Sequence, residues 1–175
     1  MQLGVRMNND TTIPGILLNG NWQKTDYFVM GVDSQSTGIA HFITLEKDVC
    51  NIEHQAILYL AQRFAIETEG WDEAIIADLN AENCINFIFG QGYIAGDSGE
   101  HISNEEFLKF YEQLTNGMFI RENFSIVKNG ISTDDMEFYP IELVSVVCFS
   151  NNWNSVQYFI ELATRWALFT WSTDT

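Results

Sequence analysis

Basic residues are scarce in this chain. Only eight Lys and Arg stand against 24 Asp and Glu in 175 residues, so the formal net charge is −16. Such a chain is repelled by nucleic acid and by anionic membranes, and it is attracted to basic proteins or to cations. The imbalance argues against direct binding to nucleic acid or to a membrane, and it predicts a basic protein as the partner.

Cysteine is scarce too. Cys50, Cys84 and Cys148 are widely spaced, form no CxxC motif and cannot all pair within one chain. A reduced, cytoplasmic setting is therefore expected. The chain also has no apolar run of 18 or more residues and no apolar core near its N-terminus, so we expect neither a membrane-spanning helix nor a signal peptide.

Proline occurs only twice, and no repeat, low-complexity tract or linker divides the chain. The length fits one domain, and a composition of 46% hydrophobic and 14% aromatic residues is enough for a core. We expect residues 1–175 to form a single compact domain. Within it, residues 1–12 are expected to be a flexible extension, and Met7 is an alternative start.

Strand signals occur in both halves of the chain. The segments Tyr27–Val32 and Ile39–Leu45 are rich in β-forming residues and flank the turn sequence DSQSTG, which predicts a hairpin. Segments 118–130 and 136–149 also indicate strands, and Pro140 places the second at an edge or a bulge.

Helical spacing appears in three segments. The first is Val49–Phe64, with Asp48 as the N-cap, and the second is Ser103–Gly117, which begins with a Ser103–Glu106 capping box. The third is Asn154–Trp171. Residues 72–89 fit either a helix or two short strands. The expected fold is α+β, mainly antiparallel sheet with about three helices.

Cys50 and His54 are the best local candidates for active chemistry, because on a helix residues four apart share a face. Such a pair could be a nucleophile and its base, or two metal ligands. No local motif supplies an orienting acid, an oxyanion hole or further ligands. The pair is therefore interpreted as incidental, and the alternative is a small enzyme that uses Cys50 and His54.

Gly90, Gly92 and Ala95 fit a variant of the dinucleotide-binding fingerprint, but Gly96 and Gly99 interrupt the helix that this motif needs. We therefore expect no cofactor, and no metal site either.

Negative charge is concentrated between residues 67 and 112, where eleven acids accompany a single base, Lys109. A solvated face is one interpretation. Docking on a basic surface is the other, since clustered charge accelerates encounter. The residues expected to bind the partner are Glu67, Glu69, Asp72, Glu73, Asp97, Glu100, Glu105, Glu106 and Glu112.

These features predict a non-enzymatic acidic binding protein that inhibits a basic, nucleic-acid-binding protein. Immunity proteins, antitoxins and phage counter-defence inhibitors are of this type, and some of them mimic nucleic acid. The carboxyl-terminal segment is rich in tryptophan, with Trp153, Trp166 and Trp171. It predicts either core or a homodimer interface, so a self-assembling structural subunit is a further alternative.

Overall fold

The computed structural model describes residues 25–32, 38–69, 99–119, 124–132 and 142–173. The predictions for residues 1–12, for residues 72–89 and for Pro140 lie outside these ranges. Within them the elements are β1 (Thr25–Val32), β2 (Ile39–Glu46), α1 (Glu53–Glu69), β3 (Glu100–Ile102), α2 (Asn104–Phe119), β4 (Phe124–Lys128), β5 (Ile131–Ser132), β6 (Leu143–Asn152), β7 (Ser155–Leu162) and β8 (Arg165–Ser172).

All eight strands belong to one sheet, in the order β3-β6-β7-β8-β2-β1-β4-β5, and all the pairs are antiparallel. The predicted antiparallel sheet is confirmed. So is the first hairpin, in which Tyr27 of β1 lies opposite Ile43 of β2. The hairpin β7–β8 occupies the middle of the sheet, between β6 and β2.

The two helices of the described ranges cover opposite faces of the sheet. Successive strand residues point to opposite faces, so Phe42 and Ile43 mark the two sides. Ile43 lies in a cluster with Ile57 of α1, whereas Phe42 lies in a cluster with Phe107 of α2. We call these sides the α1 face and the α2 face. Because the sheet separates the helices, side chains of α1 and α2 cannot form one surface across it.

The predicted carboxyl-terminal helix is wrong, because residues 155–172 form β7 and β8. In β8 the consecutive apolar residues 166–169 supply both faces of the sheet, so the period of two is lost there. In β7 the alternation of polar and apolar residues is interrupted at Phe159. Tyr158 and Phe169 face α2, while Phe159 and Leu168 face the α1 side. The apolar residues of the segment Asn154–Trp171 match helical spacing by chance.

The helix boundaries agree with the sequence in part. Glu106 N donates to Ser103 Oγ at 3.1 Å, which confirms the predicted cap of α2. Asp48 is wrong as the N-cap of α1, because it lies in a turn and the helix begins at Glu53. Helix α2 also continues through Gly117 to Phe119. No helix in the described ranges is long and apolar enough to cross a membrane.

Candidate binding surface

Cys50 lies in the connection between β2 and α1 and is buried. Its thiol donates to Ile52 O at 3.5 Å, and the Trp166 indole N–H donates to Cys50 O at 2.9 Å. Burial raises the pKa of the Cys50 thiol, which disfavours the thiolate that a nucleophile or a metal ligand needs. Cys50 precedes the helix, which begins at Glu53, so the expectation that Cys50 and His54 share a helix face is wrong. His54 lies within α1, and its side chain is outside the described part. The contacts of Cys50 tie the β2–α1 connection to β8.

A buried polar cluster connects the first hairpin to α1. The Tyr27 hydroxyl oxygen is 2.7 Å from His41 Nδ1, and the Arg63 guanidinium lies 5.7 Å from the Tyr27 ring centre. Arg63 also pairs with Glu67 at 2.7 Å. Burial raises the pKa of Tyr27 to about 12, with a further contribution from the Glu67 charge, and burial lowers the pKa of His41 to about 4.

Both pKa values move away from neutrality, so neither group exchanges a proton readily near pH 7. This arrangement stabilises the packing of α1 on the sheet rather than providing acid–base chemistry. The sequence interpretation missed it, and the only signal was a histidine inside the apolar strand IAHFITL. The described residues hold no group of three or more metal-ligating side chains.

Most of the described cations are neutralised by neighbouring acids. The pairs are Lys47 with Glu161 at 2.8 Å, Arg63 with Glu67 at 2.7 Å, Lys128 with Asp26 at 3.7 Å, and Arg165 with Glu46 and Asp26. None of these pairs involves a residue of β3 or α2. Most basic side chains of the described part are therefore ion-paired with acids of the sheet and of α1.

The predicted partner-binding acids do not all lie together. Glu67 and Glu69 are on α1, and Glu67 is already paired with Arg63. The side chain of Glu69 is outside the described part, and so are the whole residues Asp72, Glu73 and Asp97. The remaining four acids lie across the sheet from α1, on β3 and α2.

These four acids form what we call the acidic edge: Glu100, Glu105, Glu106 and Glu112, all exposed. Strand β3 is the outermost strand on its side of the sheet, and Glu100 lies opposite Cys148 of β6. Burial raises the pKa of the Cys148 thiol, and the charges of Glu100 and Glu106 raise it further. The carboxylates of Glu100, on β3, and Glu106, on α2, therefore both lie close enough to the Cys148 thiol for their charges to affect it.

The fold fixes the orientation of the acidic edge. Asn104 Nδ2 donates to Leu143 O at 3.2 Å, and this contact joins the first residue of α2 to the first residue of β6. Phe107 and Tyr111 are buried against the sheet, where Phe107 packs on Tyr158 with ring centres 5.2 Å apart. Anchoring of this face of α2 leaves its opposite, acidic face in solvent.

The three carboxyl-terminal tryptophans have different environments. Trp166 is buried, and it stacks on Phe159 with ring centres 5.5 Å apart. Trp171 is partly buried beside the α2-face cluster. Trp153 is 77% exposed in the turn between β6 and β7. The environment of Trp166 matches the core alternative of the sequence analysis, and self-association through this segment stays a prediction.

Comparison of the chain with models of protein families, with curated proteins and with solved structures finds no match.

Proposed function

We propose that this chain is a non-enzymatic acidic binding protein that docks through its acidic edge on a basic protein and blocks that protein's activity. One observation carries the proposal. Glu100, Glu105 and Glu106 are exposed on two neighbouring elements, while four of the five described basic residues are ion-paired elsewhere. Lys109 is the only described base on β3 or α2.

Clustered charge of this kind favours a partner of opposite sign. Exposed carboxylates steer a basic surface into contact and raise the association rate, and salt weakens this effect by screening. Proteins that bind nucleic acid carry basic surfaces for contact with phosphate. The proposed partner is therefore a nucleic-acid-binding protein, such as a nuclease, and the proposed role is that of an immunity, antitoxin or counter-defence inhibitor in the cytoplasm.

Rigid presentation of the carboxylates supports this role. Helix α2 is held by the Ser103 cap, by the contact of Asn104 with β6 and by the burial of Phe107 and Tyr111. Because the helix is anchored before it binds, little conformational entropy is lost when the partner docks. The arrangement of charge on the free protein then resembles the arrangement in the complex.

Charge reversal with a matched control tests the proposal. The test variant is Glu105→Lys with Glu106→Lys, in the first turn of α2. The control is Asp48→Lys with Glu53→Lys, which changes the charge equally at two exposed positions, one in the turn before α1 and one at the first residue of α1. A tagged wild-type chain first retains its partner from native lysate at low salt, a salt gradient elutes that partner, and mass spectrometry identifies it.

Association of the purified partner is then measured at about 50 mM and about 300 mM NaCl. We expect the α2 variant to associate about tenfold or more slowly at low salt, with a weaker salt dependence, and the control to behave like the wild type. Equal association rates for both variants would mean that the acidic edge is only a solvated face. Thermal unfolding of both variants checks that each one is folded.

A further inference from the structure

Trp153 occupies a rigid and exposed position. It lies in the two-residue turn that joins β6 to β7, where Asn152 pairs with Ser155. Thr173 N donates to Asn154 O at 2.9 Å, so the turn is also held by the chain that follows β8. Tryptophan is usually well buried on average, yet 77% of Trp153 is exposed. The fold thus presents an indole to solvent on a turn that is fixed before any partner arrives.

The neighbours of Trp153 are polar but uncharged. Asn151 and Asn152 precede it and are exposed, Asn154 follows it, and Asn152 Nδ2 donates to Ser150 Oγ at 3.1 Å. Aromatic residues among Asn and Ser are typical of binding loops, because the ring supplies contact area and the small polar groups supply adaptable hydrogen bonds. No charged side chain has to be desolvated in the described part of this turn.

The turn follows the last residue of β6, so it lies on the β3 border of the sheet, whereas Asn104 at the start of α2 contacts Leu143 at the first residue of β6. Strand β3 pairs with β6, and Glu100 is opposite Cys148. Trp153 lies five residues beyond Cys148 along the chain, which corresponds to about 15 Å at the rise of a β-strand. An interface of ordinary size buries about 800 Å² on each partner, and such a patch spans this separation. The indole and the Glu100 carboxylate can therefore contact one partner at once, and Glu105 and Glu106 lie further away, towards the other end of β6.

We propose that Trp153 is the anchor residue of the partner interface, where its indole enters an uncharged apolar pocket on the basic protein and the acidic edge forms the charged rim. Well-packed aromatic anchors of this kind carry much of the binding energy in protein interfaces, while rim charges mainly set the association rate. The inference rests on the proposed function, because it names the second part of the same interface.

Charge favours a basic partner over a second copy of this chain. Each copy has a net charge of −16, and contact through this border would bring two acidic edges close together. Like charges at an interface oppose association. A basic protein instead pairs with the rim while its pocket accepts the indole.

The test variants are Trp153→Ala and Trp153→Phe, and the control is Ile131→Ala. Ile131 is 72% exposed on β5, the outermost strand at the other side of the sheet, so the control removes an equally exposed apolar side chain far from the acidic edge. The probe is the purified basic protein that the salt gradient elutes from the wild-type chain, and both rate constants are measured by surface plasmon resonance at two salt concentrations.

We expect Trp153→Ala to raise the dissociation rate about tenfold or more, with an unchanged association rate and salt dependence, and Trp153→Phe to raise it less. Ile131→Ala should leave both rates unchanged. An unchanged dissociation rate for Trp153→Ala, together with slower association of the Glu105→Lys, Glu106→Lys variant, overturns the anchor and leaves the proposed function standing. Failure to recover any partner overturns both proposals.

A self-associating chain gives a different result. If the mass of the wild-type chain rises with concentration in sedimentation experiments, and Trp153→Ala removes that rise, the turn is a contact between copies and the anchor proposal is overturned. Because Trp153 is so exposed, its replacement should leave thermal unfolding unchanged, which checks that the rates report on binding.

Discussion

At the scale of single residues, His41 has a buried environment that the sequence did not indicate. It is held neutral in a cluster with Tyr27 and Phe64, and its ring meets the Phe64 ring edge-on at 5.6 Å. Burial lowers its pKa to about 4, so the unfolded chain, in which a histidine titrates near 6.5, binds a proton more readily than the folded chain.

This difference predicts how stability depends on pH. Between about pH 6.5 and pH 4 the unfolded state holds more protons at this site, so the free energy of unfolding falls as the pH falls through that window. The stabilising contribution is fully present above pH 6.5, and it amounts to at most about 3 kcal/mol. Urea unfolding at pH 4, 5, 6 and 7.5 measures it.

The variant His41→Gln provides the comparison, because it retains a polar side chain that does not titrate. Carboxylates change their protonation in the same pH range in both proteins, so the difference between the two curves isolates His41. The loss of stability from pH 6.5 to pH 4 should be smaller in the variant. Parallel curves would show that His41 titrates alike in the folded and the unfolded states.

At the scale of elements, the success of sequence reasoning depended on how many faces an element buries. The amphipathic α2, with Phe107 and Tyr111 inward and acids outward, was predicted together with its cap. The hairpin β7–β8 was not, because Phe159 interrupts the alternation in β7 and β8 is apolar on both faces. The β1–β2 hairpin was found through its turn residues.

The cap of α2 leads to a prediction at this scale. Replacing Ser103 with alanine removes the acceptor of the Glu106 N–H and should lower the free energy of unfolding by about 1 kcal/mol. Ser103→Asp restores an acceptor at the same position and should retain most of the stability. Chemical denaturation of the three proteins measures the effect, and equal losses for Ala and Asp would mean that the cap contributes little.

The candidate site, like the fold, was predicted from the sequence only in part. The sequence identified the acids of the acidic edge, because negative charge is visible in composition. It did not separate Glu67 from Glu105, since the assignment of α1 and α2 to opposite faces depends on strand order. The exposure of Trp153 follows from its position in the β6–β7 turn, and the burial of Trp166 follows from its position in β8, neither of which the helical interpretation showed.

At the scale of the whole molecule, the net charge of −16 acts on stability as well as on binding. Excess charge of one sign opposes the compact state, and salt screens this repulsion. We expect the midpoint of thermal unfolding to rise by several degrees between about 20 mM and 500 mM NaCl. Differential scanning calorimetry at several salt concentrations measures the rise.

The variant with Asp48→Lys and Glu53→Lys, which removes four units of net negative charge, should show a smaller rise. An equal or larger rise would indicate that salt acts through its general effect on hydration rather than by screening charge. We therefore expect salt to have two opposite effects on this protein, since screening should stabilise the fold and weaken the proposed contact with a basic partner.

The central position of β8 also determines when the sheet can be completed as the chain emerges from the ribosome. Glu46 of β2 pairs with Arg165 of β8, 119 positions further along. Contacts between such distant segments close large loops and slow folding. Until β8 has been synthesised, β1, β2 and β4 on one side and β6 and β7 on the other have no strand to connect them. The nascent chain therefore exposes an unpaired edge of β2, which makes it a candidate for chaperone binding during translation.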